Sequence, residues 1–244
     1  MCSLNDTVWY FAYGSNMSSA KFTGSRGIVP LDTTRVRIPN WVLTMEIPGM
    51  PYSEPSFSSI APRDPASLEG RADPDVVGIA YFITQDQYRH VIASEGGGTA
   101  YQDLALVGEL VGRDNIDKRK TGIRVRTLGS AMTRYPPPSP SRRYMDLLKE
   151  GSHEAQLPLE YQKYLGGIRV FDPPSSRWRR LGASMFVSLW GPVMIGLEKL
   201  TNTNIQADGN AQMWVILVVR FTMRLIWAVH DYLFAPIFGR GDGL

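Results

Sequence analysis

Two stretches of this sequence carry residue types that could do chemistry. In Ala93-Ser94-Glu95-Gly96-Gly97-Gly98-Thr99-Ala100-Tyr101, one carboxylate ends a helical pattern and three glycines follow it directly. Glycines let backbone and ligand come close. A carboxylate near a helix C-terminus meets the negative end of the dipole, which tends to raise its pKa towards that of a working base. The second stretch, Trp9-Tyr-Phe-Ala-Tyr-Gly-Ser-Asn-Met17, is an aromatic strand that runs into turn- and cap-forming residues. Such a junction leaves several backbone N–H groups pointing one way, the geometry that holds a carboxylate or a developing oxyanion. From the residues alone two plainer readings stay open: an ordinary capped helix at Gly14–Asn16, and a flexible glycine turn beside a solvated Glu95.

Other chemistry finds little support. His90, His153 and His230 are far apart and lack metal-ligand spacing. No Gly-x-Ser-x-Gly elbow is present, the single cysteine is Cys2, and Glu109 lies in a strand pattern that can point it to solvent. One cysteine allows neither an internal disulfide nor a thiolate cluster. Gly96–Gly98 precede no Lys-Ser/Thr and open no helix, so they are neither a phosphate loop nor a dinucleotide fingerprint. With 26 Lys+Arg against 23 Asp+Glu the net charge is +3, and no basic run interleaved with aromatics suggests nucleic acid. No signal-peptide pattern is visible, so an intracellular, cytoplasmic setting is expected.

These residues need elements to place them. Strands are expected before Gly14, over Val36–Ile47 (one, or two broken at Pro39), and over Val76–Ile83. Thr84 caps a helix ending near Glu95. Residues 48–75, rich in Pro, Ser and Asp, predict loop with a short strand near Phe57–Ala61. Tyr101–Gly112 and Thr121–Leu128 read as strands around a charged tip at Arg113–Lys120. Met17–Phe22, the stretch around Tyr144–Leu148, and Leu159–Leu165 behind Pro158 read as short helices. This is an α+β domain over residues 1–168.

Residues 169–244 differ. Leu181–Leu197 holds no charge, and Met213–Phe238 is apolar apart from Arg220, Arg224, His230 and Asp231. Helical spacing sets Arg220, Arg224 and Asp231 on one stripe. The pattern predicts a helical, strongly apolar C-terminal extension, and leaves open whether it packs on the domain, meets a second copy in a homodimer, or touches a membrane surface through residues 181–238.

Tyr13-Gly14-Ser15-Asn16-Met17 resembles the Tyr-Gly-Ser-Asn-Leu/Met signature of the γ-glutamylcyclotransferases. Glu95, followed by Tyr101, resembles the family's glutamate behind a helix. Pro140-Ser141-Arg142-Arg143-Tyr144, continued through Gly151, Glu154 and Leu157-Pro158-Leu159-Glu160-Tyr161, resembles a third family run. Together the matches cover residues 8–168. The resemblance implies a small mixed-strand β-barrel with flanking helices and no cofactor or metal. It implies a γ-glutamyl substrate whose α-amine attacks its own γ-carbonyl, releasing 5-oxoproline. Glu95 would be the general acid/base, and Tyr13, Gly14, Ser15, Asn16, Met17, Tyr101 and Tyr144 would bind substrate. Asn16 departs from the glutathione-specific branch, and the tail resembles fungal relatives, some tied to secondary-metabolite pathways such as that of gliotoxin. A non-catalytic binding module of this fold is the competing expectation; it would need no carboxylate at position 95.

Overall fold

The computed structural model describes residues 6–64, 73–112 and 122–244. Strands β1 (Thr7–Ala12), β2 (Asp32–Ile38), β5 (Val76–Thr84), β6 (Tyr101–Leu110) and β7 (Ile123–Ser130) close into a barrel in the order β1-β5-β2-β6-β7. β1 pairs antiparallel with β5 from Thr7↔Thr84 to Ala12↔Ile79, and a parallel bridge between Tyr10 and Arg126 joins it to β7. The sheet is therefore mixed, as expected. Phe11, Val36, Val76, Ala80 and Ile83 fill the interior. Helix α1 (Gln85–Ser94) adds Tyr88 and Val91, and α2 (Arg142–Glu154) adds Leu148. Thr84 does open α1: its hydroxyl accepts from the Gln87 N–H at 3.2 Å while Gln87 Oε1 accepts from the Thr84 N–H at 3.0 Å.

Two expectations need correction. Among its described residues the proline-rich stretch holds more strand than expected: β3 (Trp41–Met50) and β4 (Glu54–Pro62) form a separate two-stranded sheet that contains Pro48 and Pro55, while residues 65–72 lie outside the described residues. Both strands of such a ribbon are edges, where a missing N–H can face away from the ladder. Met17–Phe22 is not one short helix but a 3₁₀ turn, Ser15–Met17, followed by a π-helical turn, Ala20–Ser25. Tertiary packing sets that shape, since Phe22 is drawn inward to stack on Tyr81 with 4.0 Å between ring centroids. Residues 36–47 are two strands, with Asn40 at φ 62 between them. The charged tip Arg113–Lys120 and Cys2 lie outside the described residues.

After α3 (Leu159–Gly167), the tail forms α4 (Arg177–Asn202), α5 (Met213–Val229), a π-turn (His230–Phe234) and α6 (Ala235–Phe238). α4 and α5 run antiparallel: Gly182 near the start of α4 meets Phe238, while Leu200 near its end packs with Val215 and Ile216. The inner faces do not stand apart from the domain. Phe186, Met223, Ile226 and Trp227 share a buried cluster with Tyr52 of the β3–β4 turn and with Met132. Trp227 Nε1 donates to the Gly49 carbonyl at 3.1 Å, and Tyr52 bonds Gly239 and Gly241, each at 2.6 Å. The predicted stripe divides. Arg220 faces the α1–β6 loop, Asp231 pairs with Arg134 at 2.9 Å, and Arg224 is exposed.

His230, at the end of α5, is fully buried. Its Nδ1 meets Asp231 at 2.9 Å and its Nε2 accepts the Gly241 N–H at 3.0 Å, while Arg134 and Arg240 pair with Asp231 and Asp242. His230, Asp231 and Asp242 are close enough to suggest a metal centre, yet these partners occupy them as an ion-pair knot. The outer faces of α4 and α5 leave Trp178, Leu181, Met185, Trp214, Leu217 and Phe221 exposed. By length and composition both helical stretches could cross a membrane, at mean hydropathy 1.3 and 1.5, with 17% and 33% of each apolar window buried.

Candidate active site

The residue that draws the site together is Asn16, held at the mouth of the barrel by the turn after β1. Its amide nitrogen donates to the Tyr10 hydroxyl at 2.8 Å and to Glu95 Oε1 at 3.0 Å. Its side-chain oxygen accepts from Arg26 Nε at 2.9 Å, and its backbone carbonyl accepts from the Tyr81 hydroxyl at 3.1 Å. Arg26 also ion-pairs with Glu95 Oε1 and donates to Ser94 Oγ. The Arg26 side chain is 8% exposed and that of Glu95 21%, so this pair is largely removed from solvent. Asn16 and Arg26 meet the same carboxylate oxygen, Oε1.

Around the carboxylate stands a set of phenols. The Tyr101 hydroxyl donates to the Ser58 carbonyl at 3.1 Å, Tyr144 meets Ser58 Oγ at 2.7 Å, and Tyr13 donates to the Leu128 carbonyl. Burial pushes Tyr10, Tyr13 and Tyr101 above the usual phenol range, and lifts Tyr144 to about 12; the Glu95 charge adds to each shift. All four stay protonated at neutral pH. Gly14 passes so close to β4 that a Cβ there would lie 2.6 Å from Ser58 Oγ and 3.4 Å from the Tyr144 hydroxyl. The first N–H groups of the Ser15–Met17 turn have no partner within the turn.

These residues line an inner cavity of about 30 Å³, walled by Tyr10, Tyr13, Gly14, Ser15, Asn16, Ser58, Glu95, Tyr101, Leu128 and Tyr144. A larger one of about 410 Å³ adjoins it, sharing Ser15, Glu95, Tyr101 and Tyr144. Its other walls come from the hairpin (Pro48, Met50, Phe57), the basic Lys21 and Arg143, and the tail (Met194, Val219, Met223). The structure thus gathers every site residue expected from the sequence except Met17. Met17 is buried in the core, so close to α2 that a Cβ at Gly151 would lie 2.8 Å from its own, and it lines neither cavity. Glu109 lies elsewhere, paired with Arg37 across β2 and β6 at 2.5 Å. Sequence reasoning missed Arg26, Ser58 and Tyr10. Tyr10 lay within the quoted strand, while no local pattern distinguishes Arg26 or Ser58.

A closed mixed barrel with Glu95 at its mouth, beside a Tyr-Gly-Ser-Asn turn, defines a cyclotransferase-type fold, and the chain belongs to the γ-glutamyl cyclotransferase family. It is 39% identical over 251 residues to the γ-glutamyl cyclotransferase aclK of Aspergillus oryzae, spanning 97% of this chain and 90% of that protein. It is 33% identical to the γ-glutamyl cyclotransferase gliK of Aspergillus fumigatus, spanning 97% and 89%. Residues 176–237 match a family model described as the AclK C-terminal domain. Among solved structures, one titled γ-glutamyl cyclotransferase aligns with TM-score 0.54 at 19% identity, covering 70% of this chain and 93% of that one. An uncharacterised human protein, loc79017, aligns equally well at 20% identity, with the same coverage.

Proposed function

We propose that this protein is a γ-glutamyl cyclotransferase that releases 5-oxoproline, with Glu95 as its acid/base. The observation that carries this is the Glu95 carboxylate, fixed by Asn16 and Arg26 in a cavity otherwise walled by protonated phenols and the Gly14–Asn16 turn. The substrate's α-amine nitrogen bonds to its γ-carbonyl carbon, closing a five-membered ring. Glu95 takes the proton that the amine loses. The unpaired N–H groups of the turn stabilise the oxyanion. As the C–N bond to the next residue breaks, Glu95 returns the proton to the departing nitrogen. The nucleophile is the substrate's own amine, so no serine, cysteine or metal is required.

The outer cavity supports a reading of the leaving group. Met50, Met132, Met194 and Met223 line it beside Phe57, and methionine adapts to irregular apolar shapes and packs well against aromatic groups. A glutathione-derived adduct carrying an apolar body fits such a wall better than a bare dipeptide, in keeping with a role in fungal secondary metabolism.

The test is 5-oxoproline release from γ-glutamyl dipeptides, glutathione and an S-conjugate. Glu95→Gln should fold and bind yet lose about 10²–10⁴-fold in kcat; near-normal kcat would remove Glu95 from the role. Dialysis against chelators should leave turnover unchanged.

The proposed setting is the cytoplasm, with the outer tail face on an anionic lipid surface. Trp178 and Trp214 lie on that face, and Arg177, Arg179 and Arg180 stand exposed at the start of α4.

A further inference from the structure

We propose that Arg220, on α5, is a positioning residue for Glu95, so that the C-terminal helices complete the active site; this rests on Glu95 being the proton carrier. Glu95 closes α1, and the three glycines behind it take φ 88, 53 and 82. Only glycine adopts such a run readily, and glycine is also the residue that loses most freedom when ordered. Within the loop and α1, bonds hold its N–H groups: Gly96 to the Ala93 carbonyl at 3.2 Å, Gly97 to Ile92 at 3.0 Å and Thr99 to Gly96 at 3.0 Å. The next three carbonyls are held by the tail. The Ala211 N–H donates to Gly97 at 2.8 Å, and Arg220 donates through Nη2 to Gly98 at 3.0 Å and through Nε to Thr99 at 2.8 Å.

One planar guanidinium therefore fixes two successive carbonyls, which a single ammonium cannot match. The contact is close-packed as well: a Cβ at Gly97 would lie 2.6 Å from Ile205 and 2.9 Å from the Ala211 nitrogen. The clamped residues bridge Glu95 and Tyr101, both of which line the inner cavity. Without the clamp the loop drifts and the carboxylate leaves its working geometry. The Gly14–Asn16 turn, Tyr10, Tyr13 and Tyr144, on other elements, still hold the γ-glutamyl group.

The experiment compares the full-length protein with Arg220→Ala, Arg220→Lys and Arg224→Ala by 5-oxoproline release, thermal melting and hydrogen exchange over residues 96–101. Arg220→Ala should lower kcat by about 10–100-fold, the range expected from a misplacement near 1 Å. KM should change little, exchange over 96–101 should accelerate, and the melting temperature should stay near that of the parent. Arg220→Lys should fall between, and Arg224→Ala, four residues on and exposed, should match the parent. Parental kcat and exchange in Arg220→Ala would overturn the proposal. So would a loss of kcat without faster loop exchange. If Arg220→Ala does not fold, Arg220→Lys decides by the same readouts. If the parent itself releases no 5-oxoproline, the cyclotransferase reading fails, and the exchange arm alone then reports whether Arg220 holds the loop.

Discussion

Asn16 shows how much one side chain can settle. Its amide touches Tyr10, Glu95 and Arg26 at once, so the signature turn orients the carboxylate as well as closing β1. Gly14 is constrained from the other side. A methyl group there would meet Ser58 Oγ at 2.6 Å, but Ser58 Cβ at 3.9 Å, an ordinary contact. Gly14→Ala should therefore destabilise the fold by about 1–3 kcal/mol, as overpacking does, and weaken substrate binding. Adding Ser58→Ala should recover part of the stability, whereas Ser15→Ala alone should be mild. Chemical denaturation and KM for a γ-glutamyl substrate check this; equal, small effects at positions 14 and 15 would reduce the turn to a helix cap. The turn and Glu95 were legible because each combines a distinctive composition with an element boundary. Arg26 was not, because its role arises from the fold of the π-helical turn that brings it back onto Asn16.

Among the elements, α1 was legible through its capping box and the long strands through their apolar runs. The β3–β4 hairpin was legible only in part, as strand up to Ile47 and near Phe57–Ala61; its full length was hidden by prolines whose tolerance on ribbon edges depends on having no neighbouring strand. The tail was legible as helical but not as a wall of the outer cavity, since its contacts join residues more than a hundred positions apart. Trp227 ties the two together, packing in the buried cluster and donating to Gly49. Trp227→Ala should cost about 3–5 kcal/mol by the usual penalty for emptying a core aromatic site, read from the denaturant midpoint. The apolar sequence alone suggests an appendage whose removal after about residue 175 would leave some activity. The structure implies the reverse: such a chain would lose the loop clamp and one wall of the outer cavity, and would expose Tyr52 and Met132. Turnover by a soluble truncated chain would contradict this.

At the scale of the molecule, the knot around His230 couples tail docking to pH. Burial holds the His230 pKa below its ordinary value of 6.5, against the opposing pull of Asp231 and Asp242 and with the Arg240 charge adding to the depression. The unfolded chain then binds more protons than the native one between the native pKa and 6.5. Stability should be full above pH 6.5 and decline as acid carries His230 through that window. Melting curves from pH 8 to 5 should show this fall, and His230→Gln should flatten it. Flotation with anionic vesicles tests the outer face: the parent should float, and Trp178→Ser with Leu181→Ser should not. A concentration-dependent dimer in sedimentation with no flotation would assign that face to a second copy instead. The clamp on the glycine loop bears finally on the order of events in folding. Arg220 donates to the carbonyls of a loop that is shaped only once α1 and β6 flank it, so the clamp closes after those elements are in place. On the proposed role of Arg220, a barrel that has regained its strands should turn over slowly until the helices dock, so full turnover should return after refolding later than the sheet signal.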